Sequence, residues 1–432
     1  MYVSLVGRWL VTARKKFWHA TLMRSGLLTV LGLAVVLLAL AFAWKEHQRG
    51  RFAQLKAELK KAPPAPVTPA DRPGGQEAII VERAPLEGGT APEFLRATLL
   101  PGRGMSMLQI TAYVPQKGEI QLLASPPLER AAKLLSGTGP DAQGGASLAM
   151  GGAFEAPWSG RLTGSTVSDG KSMNTTWGGH ILSLPANWHN GALATSLAGL
   201  LLKEASTTSG TNVMPDGGEA EAVFDAGDFD RRWPSQTKIT ATMQLNSRAI
   251  EMKLDARNTG KQPEPMGLGW QALFAILSND RSSVRLRVPS DLRVEVNRRT
   301  GLPTGKLLTS SNGVYDFSSR YGAPLNATSI DETFVHLRQA LLDNGPILEL
   351  RDEENNYGLR ITVLTPAIKA IHISAPADKN FISIAPRFNY DDPFGREWPS
   401  AEDTGMVTLQ PGQSTEWRVR LEIFSLTESP HI

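Results

Sequence analysis

Residue types that support catalysis or metal binding are few in this chain. Its 432 residues include no cysteine, which excludes disulfides, thiolate zinc sites, iron–sulfur clusters and cysteine nucleophiles. Seven histidines leave little scope for a histidine-rich metal centre. Asp225, Asp228 and Asp230 are spaced unlike the ligands of an EF-hand loop, so a solvated acidic turn is the better interpretation. The sequence also lacks a complete phosphate-binding loop and a G-x-S-x-G motif, and we expect neither a cofactor nor a metal.

The positive charge of the chain is concentrated at its N-terminus. Residues 1–61 contain 11 of the 45 Lys and Arg residues but only 2 of the 42 Asp and Glu residues, a net charge of +9. The remaining 371 residues contain 34 basic and 40 acidic side chains, a net charge of −6. Nucleic-acid binding needs basic residues clustered on the folded domain itself. We therefore expect no nucleic-acid partner.

An uncharged apolar run, Gly26–Trp44, is long enough to cross a bilayer as a helix. A cleavable signal peptide is the alternative, but its apolar region would be shorter and would end at a small-residue cleavage site. This run ends instead at Trp44, a residue typical of membrane interfaces, followed by Lys45. The sequence thus favours a retained transmembrane helix. Basic residues flank both of its ends, so the positive-inside rule does not decide its orientation.

The chain divides into four predicted segments. Residues 1–25 form a basic N-terminal segment, 26–44 the transmembrane helix, 45–76 a charged helical extension with a Pro-rich linker, and 77–432 a folded domain. This order suits a tether that holds a domain away from a membrane. In bacterial terms we predict a single-pass inner (plasma) membrane protein with a large periplasmic C-terminal domain.

Apolar and polar residues alternate with a period of two over much of the folded domain. The alternation, with turn residues between the runs, predicts β-hairpins over 238–256, 284–296 and 407–423. Strands at this density predict a mainly β fold, an antiparallel β-sandwich.

Other segments of the domain lack this alternation. Short helices are predicted at 127–135 and 332–343. Residues 136–179 are rich in Gly, Ser and Ala and predict a long, poorly packed loop.

Seven segments of the domain, in order, resemble the aldose 1-epimerase (galactose mutarotase) family. They begin with LLPGRGMSMLQITAYVPQKGEIQLLASPP (99–127), WGGHILSLP (177–185), DARNTGKQPEPMGLGWQALF (255–274) and LPTGKLL (302–308). They end with SIDETF (329–334), FISIAPRFNYDDPFG (381–395) and EDTGMVTLQPGQSTEWRVRLEI (402–423). The resemblance implies the galactose mutarotase-like supersandwich, a large antiparallel β-sandwich with an open sugar-binding cleft.

The resemblance also implies which groups would catalyse epimerisation. In that family a carboxylate removes the proton of the anomeric hydroxyl while an imidazolium protonates the ring oxygen, which is general acid–base catalysis. The positions of the two family histidines hold Ala198 and Gln271 here, and the position of the glutamate holds Ala385. A methyl group cannot take a proton and a neutral amide cannot deliver one at pH 7. The resemblance therefore implies a domain that lacks the catalytic set.

The alternative is that residues at other positions replace the lost catalytic groups. His180, His189 and His336 lie near the relevant segments and are candidate substitutes for the imidazoles, and Asp391 and Asp392 for the glutamate. As the competing interpretation, His180 is a structural residue of an alternating strand and His189 a loop histidine.

A sugar site without catalysis keeps an aromatic platform and planar polar groups. Candidates of these types are Trp177, Trp188, Trp270, Gln271, Asp331, Arg387, Asn389 and Tyr390. Competing structural roles are a core position for Trp270, a helix cap for Asp331, and surface pairing of Arg387 with Asp391 or Asp392.

Three functions remain open at this level. The first is a membrane-anchored domain that binds carbohydrate, a hexose or polysaccharide, or serves as a non-catalytic interaction module with envelope proteins as partners. The second is an active aldose 1-epimerase with relocated catalytic residues. The third is a purely structural subunit with a filled cleft.

Overall fold

The computed structural model describes most of the chain after the predicted linker. The described residues are 72–86, 89–115, 117–168, 170–190 and 193–427. The predicted transmembrane segment 26–44 lies outside them. Among the described residues, no helix combines the length and the apolar character needed to cross a membrane.

The domain consists mainly of β-strands, numbered here in chain order. The first half contains β1 (Ile79–Glu82), β2 (Glu93–Leu100), β3 (Ser106–Val114), β4 (Gly118–Gln121), β5 (Gly152–Glu155), β6 (Arg161–Thr163), β7 (Ser165–Thr166), β8 (Ser172–Trp177), β9 (His180–Pro185), β10 (Trp188–Asn190), β11 (Leu193–Leu197), β12 (Thr208–Met214), β13 (Gly217–Gly227) and β14 (Thr237–Leu245). The second half contains β15 (Ala249–Asn258), β16 (Glu264–Met266), β17 (Gly269–Ala275), β18 (Val284–Arg287), β19 (Leu292–Val296), β20 (Pro303–Thr309), β21 (Ala323–Pro324), β22 (Ile330–Val335), β23 (Ile347–Asp352), β24 (Tyr357–Val363), β25 (Ala370–Ala375), β26 (Phe381–Arg387), β27 (Val407–Leu409) and β28 (Ser414–Ser425). The helix α1 spans Leu128–Leu134. Short 3₁₀ turns span Pro73–Gly75, Pro101–Arg103, Gly139–Asp141, Gly145–Ala149, Leu201–Lys203 and Arg281–Ser283.

Two large antiparallel sheets form a sandwich. The first sheet has the order β1-β2-β3-β5-β17-β26-β25-β22-β19-β20, with β4 paired to β3. The second sheet has the order β12-β13-β14-β15-β28-β24-β23-β18-β21. Smaller sheets, β10-β11-β6, β7-β8-β9 and β16-β27, complete the described part of the domain. The predicted mainly β, antiparallel sandwich is confirmed.

The hydrophobic core lies between the two large sheets. Trp417 of β28 is fully buried, and its ring meets that of Phe154 of β5 edge-to-face at 6.1 Å. Trp417 Nε1 also donates a hydrogen bond to the carbonyl oxygen of Pro386 in β26, at 3.0 Å. The indole N–H of a tryptophan in one sheet is thus hydrogen-bonded to a backbone carbonyl of the other sheet, as a buried indole requires.

The predicted hairpin over 238–256 is confirmed. β14 and β15 pair in antiparallel register, with Met243 opposite Met252. Every second residue of β14, from Thr237 to Leu245, is buried, as the alternation predicts for a strand with one face on a core. The connecting turn is stabilised by Asn246, whose side-chain oxygen accepts from the backbone N–H groups of Arg248 and Ala249.

The other two predicted hairpins are wrong, although their strands exist. Strands β18 and β19 belong to different sheets: β18 pairs with β23 and β21, and β19 pairs with β20 and β22. Strand β27 pairs with β16, whereas β28 pairs with β15 and β24. A period of two reveals which face of a strand is buried, but it does not identify the strand's partner.

The helix at 127–135 is confirmed as α1, but the helix at 332–343 is wrong. Residues 330–335 form β22, which is hydrogen-bonded between β25 and β19. The loop predicted over 136–179 is also partly wrong. Gly152–Glu155 form the fully buried strand β5 between β3 and β17, and β6 to β8 follow it.

Candidate functional site

A cavity of about 510 Å³ opens on the face of the first sheet that points away from the core. In β25, Ile371 and Ile373 belong to the core, so the alternating His372 and Ser374 face the cavity. The same alternation applies in β17, β26 and β22. We call this cavity the cleft; its polar and aromatic lining includes Arg161, Trp188, Gln271, Asp331, His372 and Arg387.

Trp270 and Gln271 lie on opposite faces of β17. Trp270 is fully buried in the core, and its ring meets that of Phe274 edge-to-face at 6.1 Å. Gln271 lines the cleft, and its Nε2 donates to the carbonyl oxygen of Leu148 at 3.2 Å. Adjacent residues of a strand point to opposite faces, so the core position is the one that the structure gives Trp270.

Two residues that the resemblance assigns to catalytic positions, Ala385 and Ala198, have small, buried side chains. Ala385 is buried in β26 directly opposite His372 of β25. Ala198 is buried in a small apolar cluster with Ala153 and Leu202. Neither methyl group can take part in proton transfer.

An imidazole and a carboxylate nevertheless meet in the cleft. His372 Nε2 lies 3.3 Å from Asp331 Oδ1, across the neighbouring strands β25 and β22. The hydrogen bond from His372 lowers the pKa of Asp331, burial opposes this effect, and the charges of His372 and Arg161 lower it further. Because Asp331 belongs to a strand, the predicted helix cap is wrong. His372 is absent from the sequence-based candidates, and the alternation of Ala370–Ala375 was the only signal of its orientation.

A buried ionic cluster supports the floor of the cleft. Arg387 Nη1 lies 3.1 Å from Asp391 Oδ1, and both side chains are almost completely buried. Arg161 adds a contact of 3.4 Å to Asp391 Oδ2 and donates its backbone N–H to Oδ1. Burial acts to raise the pKa of Asp391, but Arg387, Arg161 and His372 outweigh it and hold the pKa well below its usual range. The pairing of Arg387 with Asp391 therefore exists, but it is internal rather than superficial.

A second carboxyl group, Glu155 at the end of β5, lies beside this cluster. Its Oε2 accepts the backbone N–H of Gly160 at 3.0 Å. Burial raises the pKa of Glu155 to about 7, against the opposing effects of Arg387 and of the Gly160 hydrogen bond. Sequence reasoning missed Glu155, because it lies in the segment interpreted as a loop.

Trp188 and Arg161 form the rim of the cleft. Trp188 is 36% exposed, and the Arg161 guanidinium carbon lies 5.6 Å from the centre of its ring. A cation above an indole holds the ring in place while leaving its other face open. Trp188 is thus an exposed aromatic side chain in the cleft, as the sequence predicts for a sugar site.

Two further candidates do not line the cleft. Asn389 is fully buried; its Oδ1 accepts from Ser159 N at 3.1 Å, and its Nδ2 donates to the carbonyl oxygens of Ser159 and Tyr390. Tyr390 is buried, and its hydroxyl group donates to Glu402 Oε1 at 2.9 Å. Both residues hold the chain segment that carries Asp391.

The remaining histidine candidates are also elsewhere. His180 lies in β9 and stacks on Trp177 with ring centres 6.5 Å apart, outside the residues that line the cleft. His336 Nε2 lies 3.0 Å from Glu402 Oε1 in a different cavity. The side chain of His189 lies outside the described structure. Within the described residues, no three or more His, Asp or Glu side chains are placed to hold a metal.

The two large antiparallel sheets and the cleft on one of them define a mutarotase-like β-supersandwich domain. A family model described as aldose 1-epimerase matches residues 134–422, which is more than half of the chain. The protein therefore belongs to the aldose 1-epimerase family.

Solved structures support the same fold. A galactose mutarotase-like protein from Clostridium acetobutylicum is similar over 81% of this chain and 99% of its own, with a TM-score of 0.63 and 16% identity. An aldose epimerase homologue from C. elegans covers 81% and 99%, with a TM-score of 0.59 and 18% identity. Galactose 1-epimerase from Lactobacillus acidophilus covers 80% and 98%, with a TM-score of 0.55 and 14% identity. No curated protein sequence matches the chain significantly.

Proposed function

We propose that the domain binds carbohydrate in the cleft without converting it, and that the N-terminal segment holds it at a membrane. The observation that carries the proposal is an exposed indole, Trp188, beside the polar groups of Gln271, Asp331 and His372 in one open cleft. Sugars offer apolar C–H faces to aromatic rings and hydroxyl groups to planar polar side chains. Membership of the aldose 1-epimerase family supports a sugar as the ligand.

The proposal that the bound sugar is not converted rests on the residues at the acid and base positions. Ala198, Gln271 and Ala385 supply no proton donor or acceptor of the required strength. Asp331 and His372 are bonded to each other, and the lowered pKa of Asp331 makes it a weak base. These observations favour binding over catalysis.

The binding proposal predicts a clear loss of affinity in Trp188→Ala. We expect the dissociation constant for a bound sugar to rise about fivefold, because a stacked aromatic contact contributes about 1 kcal/mol. Saturation-transfer NMR of the full-length protein with glucose, galactose and their oligosaccharides measures this constant. Trp177→Ala is the matched control, because it removes an indole outside the cleft and should leave the affinity unchanged.

The same samples separate binding from conversion. Two-dimensional exchange NMR on the free sugar should show anomer interconversion at the buffer rate. An accelerated rate that is lost in His372→Gln would overturn the non-catalytic proposal and favour an epimerase that uses His372 and Asp331. That alternative is favoured by a single observation, their contact of 3.3 Å in the cleft. Absence of binding to every sugar tested would favour a structural subunit instead.

The proposed membrane attachment is supported by the apolar run Gly26–Trp44 and its basic flanks. We expect the full-length protein to stay in the membrane pellet after alkaline extraction, and a variant lacking residues 26–44 to be released. Protease added to intact spheroplasts should digest the domain if it is periplasmic. An interaction module in an envelope assembly would then present the cleft to glycans or envelope proteins. Release of the full-length protein by alkali would contradict the anchor.

A further inference from the structure

A chain of hydrogen bonds runs behind the cleft and ends at His372. Arg387 lies against Asp391 through Nη1 and donates from Nη2 to Thr333 Oγ1 at 3.0 Å. Thr333 Oγ1 lies in turn 3.1 Å from His372 Nδ1. The other ring nitrogen of His372 faces Asp331 in the cleft. Thr333 is therefore the link between a buried ion pair and an imidazole that faces the cleft.

The direction of these hydrogen bonds follows from the chemistry of the groups. A guanidinium group has only donors, so Thr333 must accept from Arg387. The hydroxyl hydrogen of Thr333 is then free for His372 Nδ1, which accepts it when the ring is neutral. The ring hydrogen accordingly resides on Nε2, where Asp331 can accept it.

The opposite arrangement leaves a buried group unsatisfied. With a hydrogen on Nδ1, Thr333 Oγ1 would accept from both Arg387 and His372, and its own hydrogen would need another acceptor. Among the described residues, Arg387 and His372 are the hydrogen-bond partners of the Thr333 hydroxyl. Thr333 is only 4% exposed, and an unpaired buried donor is costly.

We infer that Thr333 is a positioning residue that fixes the orientation of His372 and keeps its hydrogen on Nε2, so that the cleft presents a donor beside the Asp331 acceptor. A ligand hydroxyl group can replace the direct contact between the two side chains, because it accepts from His372 Nε2 and donates to Asp331. A carboxylate has no hydrogen for Asp331, and a carboxylate and a phosphate would both be repelled by its charge. The ligand at this point of the cleft is therefore a neutral sugar hydroxyl, an identification that rests on the proposed function.

The state of His372 is measurable without any sugar. The full-length protein, labelled with ¹⁵N only at its seven histidines, gives two ring-nitrogen signals per residue, and His372→Gln assigns those of His372. At pH 8 we expect a protonated Nε2 and an unprotonated Nδ1 whose resonance is that of a hydrogen-bonded acceptor. Thr333→Ser should preserve this pattern. Thr333→Val should shift Nδ1 to the position of an unbonded nitrogen and weaken sugar binding about tenfold.

The outcomes separate this inference from the proposed function. A hydrogen on His372 Nδ1 in the unsubstituted protein, or an Nδ1 resonance that is the same in Thr333→Val, would overturn the role of Thr333 even if sugar binds. Absence of sugar binding with the expected resonances would instead contradict the proposed function. If Thr333→Val does not fold, the spectrum of the unsubstituted protein still decides where the hydrogen lies.

Discussion

Replacement of Arg387 by methionine is expected to lower the free energy of unfolding by about 3–5 kcal/mol, because it leaves a buried carboxylate without its main partner. The Arg387 side chain is 3% exposed and lies 3.1 Å from Asp391 Oδ1. After the substitution, Asp391 would keep the longer side-chain contact and the backbone hydrogen bond from Arg161, and Thr333 would lose its donor. Methionine fills much of the space of the arginine stem, so the loss reports mainly on the charge. Urea-induced unfolding, followed by tryptophan fluorescence, measures it.

Arg418→Met provides the control for this experiment. Arg418 also contacts a carboxylate, that of Glu251, but its side chain is 44% exposed and Glu251 keeps a second partner in Arg420. An exposed pair of this kind contributes about 0–1 kcal/mol. Equal losses in Arg387→Met and Arg418→Met would show that burial of the Arg387 pair does not govern its contribution.

The faces of individual strands are predictable from the sequence because burial on one side imposes a period of two. Ile239, Ala241, Met243 and Leu245 alternate in the sequence and are all buried in β14. Strand partners are a different matter, because they depend on contacts between distant segments. The turn Pro289–Asp291 looks local, yet it carries the chain from the second sheet to the first.

The error at 332–343 has a tertiary cause. Its sequence, ETFVHLRQALLD, contains good helix formers at helical spacing. In the structure β22 is paired on both sides, with Thr333 opposite His372 in β25 and Phe334 opposite Arg293 in β19. Pairing on two sides of a sheet outweighs a helix propensity of a few tenths of a kcal/mol per residue.

The cleft was partly predictable, because the family motifs locate Gln271, Asp331 and Arg387, all of which line it. Trp270 and Gln271 were both predicted to face the sugar, but adjacent residues of a strand point to opposite faces. Only one of the two could line the cleft, and with Gln271 there, Trp270 belongs to the core. His372 could not be singled out, because it is one polar residue of an ordinary alternating strand. Only the three-dimensional register places it beside Ala385, the residue that the resemblance assigns to the position of the glutamate.

Glu264→Gln is expected to remove a part of the pH dependence of stability. Glu264 is fully buried; its Oε2 accepts from Thr237 Oγ1 at 2.7 Å, and its Oε1 has no hydrogen-bond partner among the described residues. Burial raises its pKa from 4.5 to about 7, against the effect of the Thr237 hydrogen bond. In the unfolded chain the carboxyl group loses its proton near pH 4.5, whereas in the folded protein it keeps the proton up to about pH 7. The folded state thus binds more protons in this window, so its stability falls as the pH rises from 4.5 to 7.

The size of this effect follows from the shift. One pKa unit corresponds to about 1.4 kcal/mol, so Glu264 lowers the stability by at most about 3.5 kcal/mol above pH 7. Glutamine is neutral at every pH; the variant should match the unsubstituted protein near pH 4.5 and exceed its stability at pH 8. Asp391 acts with the opposite sign and in a lower range, since its lowered pKa gives stability that is lost only as the pH falls below about 3.8.

Urea titrations at several pH values between 4.5 and 8 test this prediction. Glu155, whose pKa is also raised to about 7, adds a slope of the same sign in the unsubstituted protein, so Glu264→Gln should flatten the dependence without abolishing it. Glu416→Gln, at an exposed position of β28, should leave the slope unchanged. A Glu264→Gln variant that is less stable than the unsubstituted protein at pH 8 would mean that the carboxylate is ionised in the fold and stabilised there. That result would contradict the prediction that burial raises the pKa of Glu264.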